Sequence, residues 1–171
     1  RAHLVSRSAG YRKWGRGIRP KATQMGIFFG GERIGQAVTW IKPRESELVI
    51  DSRTDLDLSR VTSLQVVTQL FGGSARMLLQ FHALVFEGRL VGFHSTISTA
   101  RDLPPVVSVY GTPLGDKLRL VIRHMGESQT QLVPFDQRQF LQSALTPNLA
   151  VSDLRVGKKW IVQTFNPTSG T

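Results

Sequence analysis

The chain has 171 residues, with 22 Lys or Arg against 12 Asp or Glu, a formal net charge of +10 and no cysteine. Its length suits one domain with an appendage, and the missing thiols exclude disulfides, thiolate metal sites and a cysteine nucleophile. No apolar run approaches the roughly 18 residues that a membrane-spanning helix needs.

The first element is an arm. RAHLVSRSAGYRKWGRGIRPKATQ, residues 1–24, holds seven basic residues and no acid. The body behind it, 25–171, carries 15 basic and 12 acidic side chains, so it is close to balanced. Any argument from charge to partner is therefore an argument about the arm. Arg7, Tyr11, Arg12, Lys13, Trp14, Arg16, Arg19 and Lys21 are its candidate contact residues. Three kinds of partner suit this composition. Phosphates with stacked bases describe nucleic acid, but the body shows no nucleic-acid-binding motif. Leu4, Val5, Trp14 and Ile18 among cations suit an anionic membrane surface. Arg and Trp anchors suit a protein complex, on which the arm would lie as an extended strap. Gly10, Gly15 and Gly17 speak against a stable amphipathic helix in any of these settings.

From Met25 the pattern changes to short alternating runs. MGIFFGGERIGQAVTWI predicts a hairpin, with strands over 25–29 and 33–42 and a turn at Gly30-Gly31. SELVIDSRTDLDLS alternates as a strand, with Leu48, Ile50 and Ser52 on one face and Val49, Asp51 and Arg53 on the other. SRVTSLQVVTQLFGGS has apolar residues at helical spacing but is rich in Val and Thr; it is read as a short helix or irregular crossing. ARMLLQFHALVFEGRLVGFHSTIST is the strongest hairpin signal, turning at Glu87-Gly88. PVVSVYG and DKLRLVIRHMG predict a further pair, followed by SQTQLVPF after Gly126. FDQRQFLQSALTPNL shifts to helical period over 136–146, and KKWIVQTFNP predicts a closing strand.

The sum is a mainly β chain: one large curved antiparallel sheet, an open half-barrel in meander order, with one or two short helices. The domain division is 1–24 for the arm and 25–171 for the sheet.

Within the body, GGERIGQAVTWI, LVFEGRLVGFHSTIST and DLRVGKKWIVQTFNPTSG are similar to the segments of a class of bacterial exported β-rich domains of unknown function, which also precede transglutaminase-like domains. The resemblance covers residues 25–170 through Gly35, Gly157, Trp160, Phe165 and Pro167. It implies a strongly curved open sheet like that of the lipoprotein carriers, closed at one end by a helix, and a location outside the cytoplasm. It carries no catalytic residue to this chain.

The side chains that bear chemistry are sparse. His82 and His94 fall about opposite each other across the Glu87-Gly88 turn, with no acid in either strand, and are read as ordinary sheet residues. Asp51, Asp55 and Asp57 share one side of a strand and are read as a solvated face rather than a cation site. Ser74 lacks the second glycine of a nucleophile elbow, and His94 and Ser95 point to opposite faces. No cofactor or metal site is expected. Strand 75–86 is apolar on both faces; Leu78, Leu84 and Phe86 form a second apolar surface, a groove, an interface or a seat for the 136–146 helix.

The expected function is a non-enzymatic extracytoplasmic binding and assembly module, an accessory subunit held on a membrane protein complex by its arm and one sheet face. The alternatives are a periplasmic carrier of an apolar ligand in the sheet concavity and a nucleic-acid-binding protein.

Overall fold

The computed structural model describes residues 21–59 and 74–136, together with the backbone of four short strands at 6–7, 140–141, 160–161 and 164–165. In chain order the strands are β1 (Ser6–Arg7), β2 (Lys21–Phe29), β3 (Glu32–Arg44), β4 (Glu47–Asp57), β5 (Arg76–Phe86), β6 (Arg89–Ser98), β7 (Val107–Leu114), β8 (Lys117–His124), β9 (Glu127–Pro134), β10 (Phe140–Leu141), β11 (Trp160–Ile161) and β12 (Thr164–Phe165).

β2 to β9 form a single eight-stranded sheet in which every strand lies antiparallel to its neighbours in sequence. The sheet is an unclosed meander, as the alternating runs predict. No helix occurs among the described residues. The segment expected as a short helix or crossing after Ser59 lies outside the described residues. So does most of the expected 136–146 helix, except that Phe140–Leu141 is extended and pairs in parallel with Thr164–Phe165.

Tight turns explain why so many neighbours pair. Gly30 and Gly31 both take positive φ, at 58° and 84°, the conformation of a two-residue hairpin loop. At β8–β9 the same turn needs a non-glycine residue, Met125, at φ 49° ahead of Gly126 at 88°. β2 starts at Lys21, four residues before the expected boundary at Met25, because Lys21–Gln24 continue the pairing with Thr39–Ile41 and Val38.

Alternation then divides the sheet into two faces. On one face Ile41, Leu48, Ile50, Phe81, Ala83, Val85, Phe93, Val109, Leu118 and Leu120 are buried in one cluster. Ile34, Leu56, Leu58, Met77 and Leu79 extend it towards the other end of the strands. Polar members of this face are satisfied: the Thr39 and Ser52 hydroxyls lie 3.1 Å apart as cross-strand partners. Phe93 stacks on Phe81 with centroids 5.8 Å apart, and its ring covers the backbone of its partner Gly111.

One irregularity positions the opposite, polar face. The register of β5 and β6 shifts between Leu84 and Val85, which pair with Gly92 and Leu90 and leave Val91 as an extra residue. Counted straight from the Glu87-Gly88 turn, His94 would fall on the apolar face. The bulge moves it onto the same face as His82.

Candidate functional site

The polar face is organised as a row that crosses the sheet. Trp40, Asp51, His82, His94 and Tyr110 are successive direct partners on β3, β4, β5, β6 and β7. Asp51 binds at both oxygens: Oδ1 lies 2.7 Å from Nδ1 of His82, and Oδ2 accepts from Nζ of Lys42 at 3.0 Å. His94 lies flat against Tyr110, centroids 4.1 Å apart and 8° from parallel, and the Arg123 guanidinium sits 5.5 Å over the Tyr110 ring. The row therefore holds a hydrogen-bonded Asp51–His82 pair towards one end and a layered His-Tyr-Arg stack at the other.

Beside this row, between it and the adjacent row of Arg53, Gln80 and Thr96, lies a shallow cleft of about 270 Å³, lined also by Trp40, His82 and His94. Two buried polar atoms in its lining, Nε2 of His94 and Nη2 of Arg53, have no hydrogen-bond partner among the described residues. Nη2 of Arg53 does lie 3.9 Å from the Asp55 carboxylate, which is also 4.0 Å from Arg101. Asp55 and Asp51 are thus neutralised by neighbouring cations rather than gathered into an acidic patch. Among the described residues no three His, Asp or Glu side chains converge as a metal-ligand set.

Chemically, Asp51 fixes one nitrogen of His82 and leaves the other directed elsewhere, which is how a carboxylate orients an imidazole. Among the described residues no Ser or Thr hydroxyl is hydrogen-bonded to His82. The Ser52 hydroxyl is on the apolar face with Thr39, and Thr96 pairs with Gln80, one row away from His82. The face offers hydrogen-bonding groups, a stacked aromatic pair and exposed cations.

The protonation of the row follows from burial and neighbours. Burial alone would raise the Asp51 carboxyl, but the hydrogen bonds from His82 and Lys42, with their charges, outweigh it and hold it below its ordinary 3.8. His94 is held below its ordinary 6.5, first by burial and then by the nearby His82. Both groups bind their proton more weakly folded than unfolded, so both make stability rise with pH. The His94 contribution is complete above 6.5 and is lost as pH falls from there to the folded value. The Asp51 contribution is lost below 3.8. Urea midpoints measured across pH are therefore expected to drop in two stages on acidification. His94→Gln should remove the upper stage and leave the lower one; an unchanged upper stage would contradict the assignment.

The structure places the expected site residues unevenly. Arg7 lies in β1, which pairs in parallel with β11, so this point of the arm is joined to the chain's own Trp160–Ile161 segment. Lys21 opens β2. Tyr11, Arg12, Lys13, Trp14, Arg16 and Arg19 lie outside the described residues. Leu78, Leu84 and Phe86 do share the polar face, with Leu78 buried, Leu84 half-buried and Phe86 exposed, but Gln80 and His82 stand between Leu78 and Leu84. They are two separate apolar spots on a polar face.

The Asp51–His82 pair is missed by sequence reasoning because the acid comes from β4, outside the β5–β6 hairpin. Its available signal is the shared parity of Asp51 with the charged side of β4. A second unforeseen feature is electrostatic. On β8, Lys117, Arg119 and Arg123 face the same side as Tyr110 and are exposed. Across β6 to β9 the strands contain one carboxylate, Glu127, and it pairs with His124 on the opposite face. The polar face thus has a charge-paired half on β3–β5 and a cationic half on β7–β9.

No family model, curated protein or solved structure matches this chain.

Proposed function

We propose that the protein is a non-enzymatic binding and assembly module that sits on an anionic membrane surface outside the cytoplasm, as an accessory subunit of a membrane-associated complex. The observation that carries this reading is the exposed strip of Lys117, Arg119 and Arg123 on the polar face, none of which forms an ion pair among the described residues. It adds a second cationic surface to the arm, whose first 24 residues hold seven basic side chains and no acid. Each cation near an anionic bilayer contributes about 1 kcal/mol, and two such surfaces on one chain reinforce each other. The exposed Tyr110 ring at the edge of the strip suits the boundary between headgroups and acyl chains.

The test is co-sedimentation of the full chain with vesicles of phosphatidylglycerol mixed into phosphatidylcholine, against phosphatidylcholine alone. Binding is expected only to the anionic vesicles and should weaken as salt rises. The triple variant Lys117→Gln, Arg119→Gln, Arg123→Gln should bind on the order of a hundredfold more weakly. Neutralising Arg12, Lys13, Arg16 and Arg19 should lower it again. Equal binding to both vesicle types would overturn the proposal. The assembly role is read separately, from the proteins that accompany the intact and the arm-neutralised chain through isolation in mild detergent.

A further inference from the structure

The two edges of the sheet are not alike. An unpaired edge strand is a template for another strand, and folded proteins blunt such edges with charge, bulges or proline. β2 is blunted: it opens on Lys21, contains Gly26, and its register breaks between Ile27 and Phe28. β9 is not. It pairs with β8 through eight residues without a register break. No described strand lies beyond it. Six consecutive residues, Glu127 to Leu132, are exposed although their side chains alternate between the two faces, so the strand projects clear of the body. Between Ser128 and Val133 it carries no charge and no proline.

We propose that β9 pairs antiparallel with β9 of a second copy, joining two eight-stranded sheets edge to edge about a two-fold axis. The axis runs perpendicular to the sheet, so like faces adjoin and partners share parity. Centred on Thr130, this pairing sets Thr130 against Thr130 of the other copy, Gln129 against Gln131, Ser128 against Leu132 and Glu127 against Val133. Threonine and glutamine are favourable cross-strand neighbours, and no like charges meet. β2 offers no such self-complementary run.

Each copy carries a charge of +10, so this dimer has a distinctive salt response. Screening removes the repulsion between copies, and association through an uncharged edge should tighten as salt rises. Membrane attachment should weaken under the same change, so the two proposals fail independently. Sedimentation of the full chain is expected to show a monomer–dimer equilibrium that shifts to dimer with concentration and salt. Thr130→Lys, which sets two ammonium groups opposite each other, should abolish the dimer and remove the concentration dependence of the melting curve, while leaving the curve measured at concentrations where the parent is monomeric unchanged, because Thr130 is exposed. The chain has no cysteine, so Thr130→Cys gives a clean readout: it should oxidise to a covalent dimer, whereas Thr112→Cys, exposed on β7 away from the edge, should not. A monomer at every concentration, open-ended polymers in place of dimers, or equal cross-linking of the two cysteine variants would overturn the proposal.

Discussion

Gly35→Ala is expected to be the most damaging conservative substitution in the described sheet, costing more than about 3 kcal/mol and leaving little soluble protein. A methyl group there meets the Asp55 carbonyl oxygen and the Cα and Cδ2 of Leu56. The oxygen and the Cα are backbone, held in the β3–β4 ladder by the Gly35–Leu56 pairing. No rotamer change relieves such a contact; the strands must separate, in a fold whose total margin is only about 5–15 kcal/mol. Gly26→Ala is the matched control. Its methyl would crowd only the Phe28 ring, which is 63% exposed and can swing away, and would meet Nε of Arg33 at an ordinary 3.7 Å. Urea denaturation of the two variants should place Gly26→Ala within about 1 kcal/mol of the parent, allowing for the small gain from a stiffer unfolded chain. Equal stability of the two would mean that β3 and β4 do not approach as described.

The second large effect concerns Phe93 and Gly111. Phe93→Ala removes a buried ring that stacks on Phe81, and a cost of about 3–5 kcal/mol is expected from the lost burial and the cavity left behind. Gly111→Ala should also destabilise the parent, because its methyl would enter the space of the Phe93 ring. The informative measurement is the double variant. With Phe93 reduced to alanine the obstacle is gone, so adding Gly111→Ala should cost nothing further or recover part of the loss. The two changes should therefore be strongly non-additive in a denaturation cycle, with a coupling of about 1–3 kcal/mol. Additive costs would show that the ring does not cover the Gly111 backbone.

These two sites illustrate what a sequence discloses. Where two-residue turns join strands without a register break, as at Glu45-Ser46 and Gly115-Asp116, the register is fixed locally and the alternation of Leu48, Ile50 and Ser52, or of Leu118, Leu120 and Ile122, assigns faces directly. The meander and its two-faced character follow. The contact of Asp51 with His82 was hidden because β4 ends at Asp57 and β5 begins at Arg76, and no turn counts the register across that interval. Burial at Leu78 against exposure at Phe86 was also illegible, since parity tells which face a residue takes and not what stands beside it. The cationic strip is half visible: alternation places Arg119 and Arg123 together on one face, but the lack of acids in the flanking strands depends on which strands flank β8.

Val91 has a meaning beyond local geometry. Leu90 and Phe93 both point into the core although they are three apart, an interval that simple alternation forbids. The strand is thus written in two phases, and the bulge is the join between them. Val91, 46% exposed, acts as a spacer that the ladder skips. Chain length at this point is uncoupled from the facing of every later residue, so the hairpin tolerates a change of one residue there. The same change beyond Gly92 would exchange the buried and open sides of β6, moving Phe93 or its successors into water and His94 into the core. The partnership of His94 with Tyr110 thus rests on the ladder skipping Val91 and not on the count of residues from the turn.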